Sequence, residues 1–288
     1  CVVLTNVVAS RLGTAEVDVL AGKTLEGYLI RNRLGRGGMS VVYEAERLSD
    51  GMRAALKMMS HRLVYDRDAL EFFQREADLI AGFHHPHIVR LLGRFQAFHT
   101  YFIAMEFCDG EDLKSLIIRQ GAIAPAEARQ ILGQLASALE YSHREGVVHR
   151  DLKPSNVMRT KSGRVMLMDF GLAKPTTEVS VSRSTALGTP RYMPIEQLRG
   201  DPVDHTADYF AFGCVAFELL MGHPLITAKN ALSLMEQHDN WALTHLLKPC
   251  ESFDADLREL LEGALQANSA DRRLDLSMIA RWAEPTGA

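Results

Sequence analysis

The chain has 288 residues, of which 47% are hydrophobic and 24% charged, and its formal net charge is −4. That balance predicts a folded globular core and not disorder, and the mild acidity gives no electrostatic case for nucleic acid as the main ligand. At about 150 residues per domain the length fits roughly two packing units.

The four cysteines, Cys1, Cys108, Cys214 and Cys250, show neither close pairing nor metal-ligand spacing. Free thiols in a reducing compartment are therefore expected. No apolar run reaches the length of about 18 residues needed to cross a bilayer. The best candidate, 210–221, is too short, carries Glu218 and reads as a buried helix. Because the chain starts at Cys1, it is expected to be a fragment or processed product. A cytoplasmic location is expected, either alone or as the cytoplasmic part of a longer membrane protein.

Residues 1–24 carry no identifiable chemistry and read as an extension or linker. From Leu25 the pattern changes. Residues 28–34 read as a strand, Gly35-Arg36-Gly37-Gly38-Met39-Ser40 as a turn and 41–45 as a second strand. A glycine-rich hairpin lets backbone approach phosphates closely, because no side chain intervenes. The strand after the turn argues against a dinucleotide fingerprint, which needs a helix there. Ala54-Ala55-Leu56-Lys57 reads as an apolar strand ending in a cation. Leu70, Phe73, Ala77 and Ile80 fall at helical spacing and mark a buried face, and Glu76 on that helix lies nineteen residues after Lys57.

In His84-His85-Pro86-His87, Pro86 breaks the geometry that would align the imidazoles, and no carboxylate or cysteine joins them. A structural turn therefore outranks a metal site. Residues 101–105 form a buried-strand run, and Glu106-Phe107-Cys108-Asp109-Gly110 reads as a connector. Pro125 opens a long helix, a favoured place for proline. Its buried face carries Ile131, Leu135, Ala138 and Leu139, and it ends near Gly146.

His149-Arg150-Asp151-Leu152-Lys153-Pro154-Ser155-Asn156 puts an acid, a cation and a carboxamide together, and Asp169-Phe170-Gly171 begins thirteen residues after Asn156. This set suits metal-assisted phosphoryl transfer. Asp151 can accept the proton of an attacking hydroxyl, Lys153 can neutralise the transferring group, and Asn156 and Asp169 can hold magnesium through oxygen. The stretch resembles the catalytic loop of protein kinases. A Lys two places after the Asp marks the serine/threonine kinases of that family. The wording around residues 34–45 looks most like the bacterial branch.

The resemblance covers about residues 25–283 and implies roles for individual residues. Lys57, paired with Glu76, contacts the alpha and beta phosphates of ATP. Leu34, Gly35, Gly37, Gly38 and Ser40 form the glycine-rich loop, with Ser40 where a third glycine is usual; this is expected to stiffen the loop and bring a hydroxyl near the terminal phosphates. Met105 guards the back of the adenine pocket, and the backbones of Glu106 and Cys108 bond adenine. Met158 closes the pocket from below, opposite Val42 and Ala55. Asp112 reaches ribose or substrate, or else caps a helix. Asp208 braces the catalytic loop. Magnesium is the implied metal, with manganese an acceptable substitute.

Residues 169–196 would be the activation segment. Arg150 offers a dock for a phosphate there, with Thr185 the first candidate acceptor and Ser182 and Ser184 close behind. Thr189 would bond Asp151 and Lys153. Met193-Pro194-Ile195-Glu196 stands where Ala-Pro-Glu is usual, so the proline is displaced by one, and the substrate-docking surface is expected to be reshaped. Glu196 would pair with Arg272.

The implied fold is α+β and two-lobed: an antiparallel sheet plus one helix at 25–105, a hinge at 106–110 and a mainly helical lobe at 111–285. The implied function is transfer of the ATP gamma-phosphoryl group to Ser/Thr hydroxyls of protein substrates, with autophosphorylation of the activation segment. Two alternatives stay open: a nucleotide-binding or scaffolding pseudokinase, and a small-molecule phosphotransferase on a kinase-like fold. The oligomeric state is not legible.

Overall fold

A computed structural model describes residues 20–37, 40–170, 191–228 and 231–284. Gly38, Thr189 and the hydroxyls Ser180, Ser182, Ser184 and Thr185 lie outside the described residues.

The N-terminal lobe is an antiparallel sheet of β1 (Thr24–Leu25), β2 (Tyr28–Arg36), β3 (Ser40–Arg47), β4 (Arg53–Met59), β5 (Leu91–Ala97) and β6 (Thr100–Glu106), in the order β1-β2-β3-β4-β6-β5. Register shifts in β2, between Ile30 and Arg33 and between Arg33 and Gly35, curl the sheet as bulges do. Ile30, Tyr43, Ala45, Leu56, Phe102 and Ala104 pack on one face. On the other lies α1 (Arg67–Ala81), capped by Asp66, which accepts from the Ala69 amide at 3.1 Å. Its Phe73 and Ala77 pack with Met59 and Ile103, and Leu70 joins them half-buried.

The glycine-rich turn is shorter than the sequence suggests. Gly35 and Arg36 still pair with Val42 and Val41, the Gly37 amide donates to the Ser40 carbonyl at 2.7 Å, and Ser40 already opens β3. The bulges absorb the register change, so the ladder continues to satisfy backbone groups almost to the tip. Ser40 is buried.

After β6 the chain forms β7 (Gly110–Asp112), α2 (Leu113–Gln120), α3 (Pro125–Arg144), β8 (Val157–Thr160) and β9 (Val165–Leu167), with a small antiparallel sheet β7-β8-β9. Asp112 is buried and caps α2, accepting from the Ser115 amide and hydroxyl, both at 2.9 Å. Of the two roles open to Asp112, the structure shows the cap. Then follow α4 (Ile195–Arg199), α5 (Thr206–Met221), α6 (Ala231–Asp239), α7 (Leu243–Leu246), α8 (Ala255–Ala264) and α9 (Leu276–Ala280).

α5 is apolar all round, so it is buried as the axis of this lobe. At Gly213 an added Cβ would come within 2.7 Å of the Ala264 side chain, which explains a glycine where α5 crosses α8. Among the described residues no helix is long and apolar enough to cross a membrane.

His85 and His87 are used in packing. His85 Nε2 meets the Ser137 hydroxyl at 3.1 Å and stacks on Tyr141, while His87 Nδ1 donates to the Val165 carbonyl at 3.0 Å. Burial pushes His85 down to about 4 and also lowers His87 and His238. A histidine whose folded pKa is depressed contributes stability above its unfolded pKa, and that contribution is lost as pH falls toward the folded value. The free energy of urea unfolding should therefore fall between pH 7 and pH 5, by about 1 kcal/mol or more, with the partly exposed His85 contributing less than its shift alone implies. A flat profile, or one rising toward pH 5, would contradict this.

The expected Glu196–Arg272 pair is present and buried. Arg272 Nη2 donates to Glu196 Oε2 at 3.0 Å, Nη1 binds Glu196 Oε1, and Nε donates to the Gln266 carbonyl at 2.9 Å. The guanidinium also lies 4.9 Å from the Phe210 ring centroid. Arg272→Leu would leave a buried carboxylate unpaired and should cost about 3–5 kcal/mol in urea unfolding. A loss under about 1 kcal/mol, the range of an exposed pair, would show that the pair is not a structural anchor.

Candidate active site

β4 ends in the lobe interior, and its pairing sets the first half of the site. Register places Lys57 beside Val42 of β3 and Ile103 of β6, and Ala55 beside Met105. Lys57 Nζ reaches both Glu76 oxygens at 2.7 Å and Asp169 Oδ1 at 2.6 Å. The three side chains are 9%, 4% and 12% exposed. Burial alone would lower the Lys57 pKa, but the Asp169 and Glu76 carboxylates outweigh it and hold it above the ordinary value. Glu76 moves the other way for a carboxylate: burial raises it, Lys57 pulls it back, and Asp169 adds to the rise. The Lys57–Glu76 pair matches the expectation from sequence. The ion pair to Asp169 does not appear in a sequence reading, because 112 residues separate the two.

The second half is the loop after α3. Lys153 Nζ lies 2.7 and 2.6 Å from the two Asp151 oxygens, and Asn156 Nδ2 donates to the Asp151 carbonyl at 2.8 Å and to Oδ2 at 3.0 Å. Two non-glycine residues flank this loop in left-handed backbone, Arg150 (φ 62) and Asp169 (φ 60). Such conformations cost of order 1 kcal/mol each and persist only where surroundings enforce them. Here Asp208 enforces one: its oxygens accept the His149 and Arg150 amides at 2.8 and 2.9 Å and His143 Nε2 at 2.7 Å. These bonds carry its pKa below the ordinary value despite complete burial. At the other end, His149 Nε2 donates to the Met168 carbonyl at 2.9 Å, and its ring lies 4.7 Å from that of Phe170, which is itself buried against Phe83.

A hard cation would find suitable oxygen donors here. Asn156 Oδ1 is buried without a hydrogen-bond partner, and Asp169 brings a carboxylate to the same loop, since the Met168 amide donates to the Asn156 carbonyl at 2.9 Å. Among the described residues no cluster of three or more His, Cys, Asp or Glu side chains forms a closed metal cage. Magnesium needs none, because it retains waters and substrate phosphates beside one or two protein ligands.

Between the lobes, Met158, Cys108, Val89 and Met166 form a small apolar cluster with Met105 and Met168 against it. Val42 and Ala55 sit on the sheet, outside this cluster. The Glu106 amide donates to the Arg90 carbonyl at 2.9 Å, so an adenine contact from Glu106 would fall to its carbonyl oxygen. Burial pushes the Cys108 thiol up to about 12, which makes it an inert apolar side chain at neutral pH. Leu34, Gly35 and Gly37 lie at the end of β2 and the turn after it.

The segment entering α4 is tied down from several sides that sequence reasoning did not foresee. Tyr192 donates its hydroxyl to Glu218 at 2.6 Å, and Gln197 Nε2 donates to the Arg150 carbonyl at 2.9 Å. A glutamate inside the apolar run 210–221 was the visible signal for the first. Arg150 Nε is buried without a partner, and its Nη2 donates to the Val203 carbonyl at 3.2 Å.

A curled antiparallel lobe over a helical lobe, with these charged groups facing each other between them, defines a two-lobed phosphotransferase architecture. The protein kinase domain family matches residues 28–280, and the chain belongs to that family. It is similar to the serine/threonine-protein kinase PknH of Mycobacterium bovis, 36% identical over 222 residues, covering 77% of this chain and 37% of the relative. It is also similar to the probable serine/threonine-protein kinase PknB of Lactococcus lactis, at 33% over 275 residues (88% and 44%), and to the serine/threonine-protein kinase pkn3 of Myxococcus xanthus, at 33% over 272 residues (90% and 50%). The chain therefore spans half or less of the length of these relatives.

Proposed function

We propose that this chain transfers the gamma-phosphoryl group of ATP to Ser or Thr hydroxyls of proteins, residues 25–285 forming the catalytic unit. The observation that carries the reading is the pairing of two charged sets across the cleft: Lys57 held by Glu76 and Asp169, and Asp151 held by Lys153 and Asn156. Phosphoryl transfer asks the protein mainly to position groups and to stabilise charge.

In this reading Lys57 binds the alpha and beta phosphates, with Glu76 fixing its rotamer. Asn156 and Asp169 hold magnesium, which when bound neutralises phosphate charge. Asp151 orients the acceptor hydroxyl and takes its proton, and Lys153 offsets charge on the transferring group. Thr189 completes the acceptor side. Leu34, Gly35, Gly37 and Gly38 cover the phosphates. Met105, the Glu106 and Cys108 backbones, Met158, Val42 and Ala55 enclose the adenine. Autophosphorylation on Ser182, Ser184 or Thr185 would dock on Arg150, whose buried Nε lacks a partner. The buried free thiols Cys108, Cys214 and Cys250 suit a reducing, cytoplasmic setting.

The test is incubation with magnesium, gamma-labelled ATP and a generic basic protein, beside a panel of small alcohols, followed by mapping of the label. Label on Ser and Thr, abolished by a chelator, is expected. ATP binding without transfer, or label on the alcohols alone, would overturn the reading.

A further inference from the structure

We propose that His238 of α6 is a positioning residue for the peptide-docking segment, acting through the carbonyl of Met193. The inference deepens the protein kinase reading above and rests on it.

The starting point is the displaced proline. Met193 precedes Pro194 and is therefore kept out of helical backbone, while Pro194 is the N-cap of α4 (φ −72, ψ 162) with no side-chain cap. The Pro194 carbonyl enters the helix by accepting the Leu198 amide at 3.2 Å. The Met193 carbonyl lies one residue outside and has no helical donor to turn to. A half-buried carbonyl left unsatisfied is costly.

His238 supplies the donor. Its Nε2 lies 3.2 Å from the Met193 oxygen. A carbonyl only accepts, so the ring carries its proton on Nε2, and Nδ1 is bare, buried and without a partner. The ring cannot swing to another acceptor. It is 6% exposed, stacked on Trp241 at 5.2 Å and 18° and packed 5.4 Å from Phe210. Trp241 is fixed in turn, its Nε1 donating to the Leu265 carbonyl at 2.8 Å.

The same few residues carry the other ties of this segment. Tyr192 is held by Glu218, Glu196 by Arg272 and Gln197 by the Arg150 carbonyl beside Asp151. His238 thus holds the only peptide unit of residues 192–197 that the shifted proline deprives of both an amide hydrogen and a helical partner. Its effect belongs on the acceptor side of the reaction and not on ATP. The adjacent α4–α6 contact, Arg199 to Asp239 at 3.0 Å, is half-exposed and is expected to contribute little, which makes Asp239→Ala a matched control.

The experiment compares His238→Phe, which keeps a ring on Trp241 but loses the donor, with His238→Gln, whose amide nitrogen reaches as far as Nε2, and with Asp239→Ala. Loss of one such hydrogen bond corresponds to about three- to tenfold. His238→Phe should raise KM for the protein substrate by that factor, with KM for ATP unchanged. His238→Gln should restore it, and Asp239→Ala should match wild type. Hydrogen exchange at the Leu198 amide should quicken in His238→Phe and not in the other two. If His238→Phe does not fold, His238→Leu takes its place. Equal protein-substrate KM and equal exchange in His238→Phe and wild type would overturn the proposal, as would an equal rise in both KM values. If the wild-type chain transfers no phosphate at all, the kinase reading fails, and the exchange comparison alone decides the role of His238.

Discussion

Lys57→Met is expected to lower phosphoryl transfer by about a hundredfold or more, in the range seen when one preorganised electrostatic contact is removed, and to destabilise the fold as well. The stability argument follows from geometry. Lys57 lies within 2.7 Å of both Glu76 oxygens and 2.6 Å of Asp169. Without it, two carboxylates share a buried site with no cation. Removing one partner of a buried pair typically costs about 3–5 kcal/mol.

The deficit should depend on pH. Burial already drives Glu76 upward against the pull of Lys57, and with that pull gone the rise is unopposed. A carboxylate whose folded pKa exceeds its unfolded value stabilises at low pH and loses that contribution as pH rises through the folded value. Urea unfolding should therefore show a larger penalty at pH 8 than at pH 5. The double variant Lys57→Met/Glu76→Gln should regain stability without regaining transfer. Wild-type stability at pH 8 in Lys57→Met would show that the cluster is not electrostatically tight.

The parts of the site legible in the sequence were those where chemistry and spacing coincide locally. The run from His149 to Asn156 was legible because an acid, a cation and a carboxamide within one loop suit phosphoryl transfer and, with Asp169-Phe170-Gly171 after them, resemble the kinase catalytic loop. Lys57 and Glu76 were paired through the resemblance to the family's strand-to-helix pair, since the helix carries Asp68, Glu71, Glu76 and Asp78 and its pattern alone does not choose among them. The fold class followed from the resemblance to protein kinases that these motifs carry.

What was not legible depended on distance in sequence or on backbone detail. The Lys57–Asp169 contact, the Asp208–His143 bond and the Tyr192–Glu218 bond each join residues whose local patterns say nothing of one another. The glycine-rich turn was read too long, because composition cannot show that bulges in β2 let the ladder run on to Ser40. Asp112 was ambiguous because an N-cap aspartate and a ligand-binding aspartate look alike until the Ser115 amide is found on it. The shifted Pro194 was visible as a departure. Its consequence, a stranded Met193 carbonyl taken up by His238, required the packing of α6.

The most direct test of the proposed mechanism is Asp151→Asn, measured by nucleotide titration and by single-turnover transfer from gamma-labelled ATP. The substitution keeps the shape of the side chain, and the Asp151 backbone carbonyl still accepts from Asn156. It leaves Lys57, Glu76 and Asp169 untouched but removes the carboxylate to which the proposed mechanism gives the acceptor proton. Nucleotide affinity should be kept and the transfer rate should fall by about a hundredfold or more. A near-normal transfer rate in this variant would contradict the account, because the group given the proton would then be dispensable.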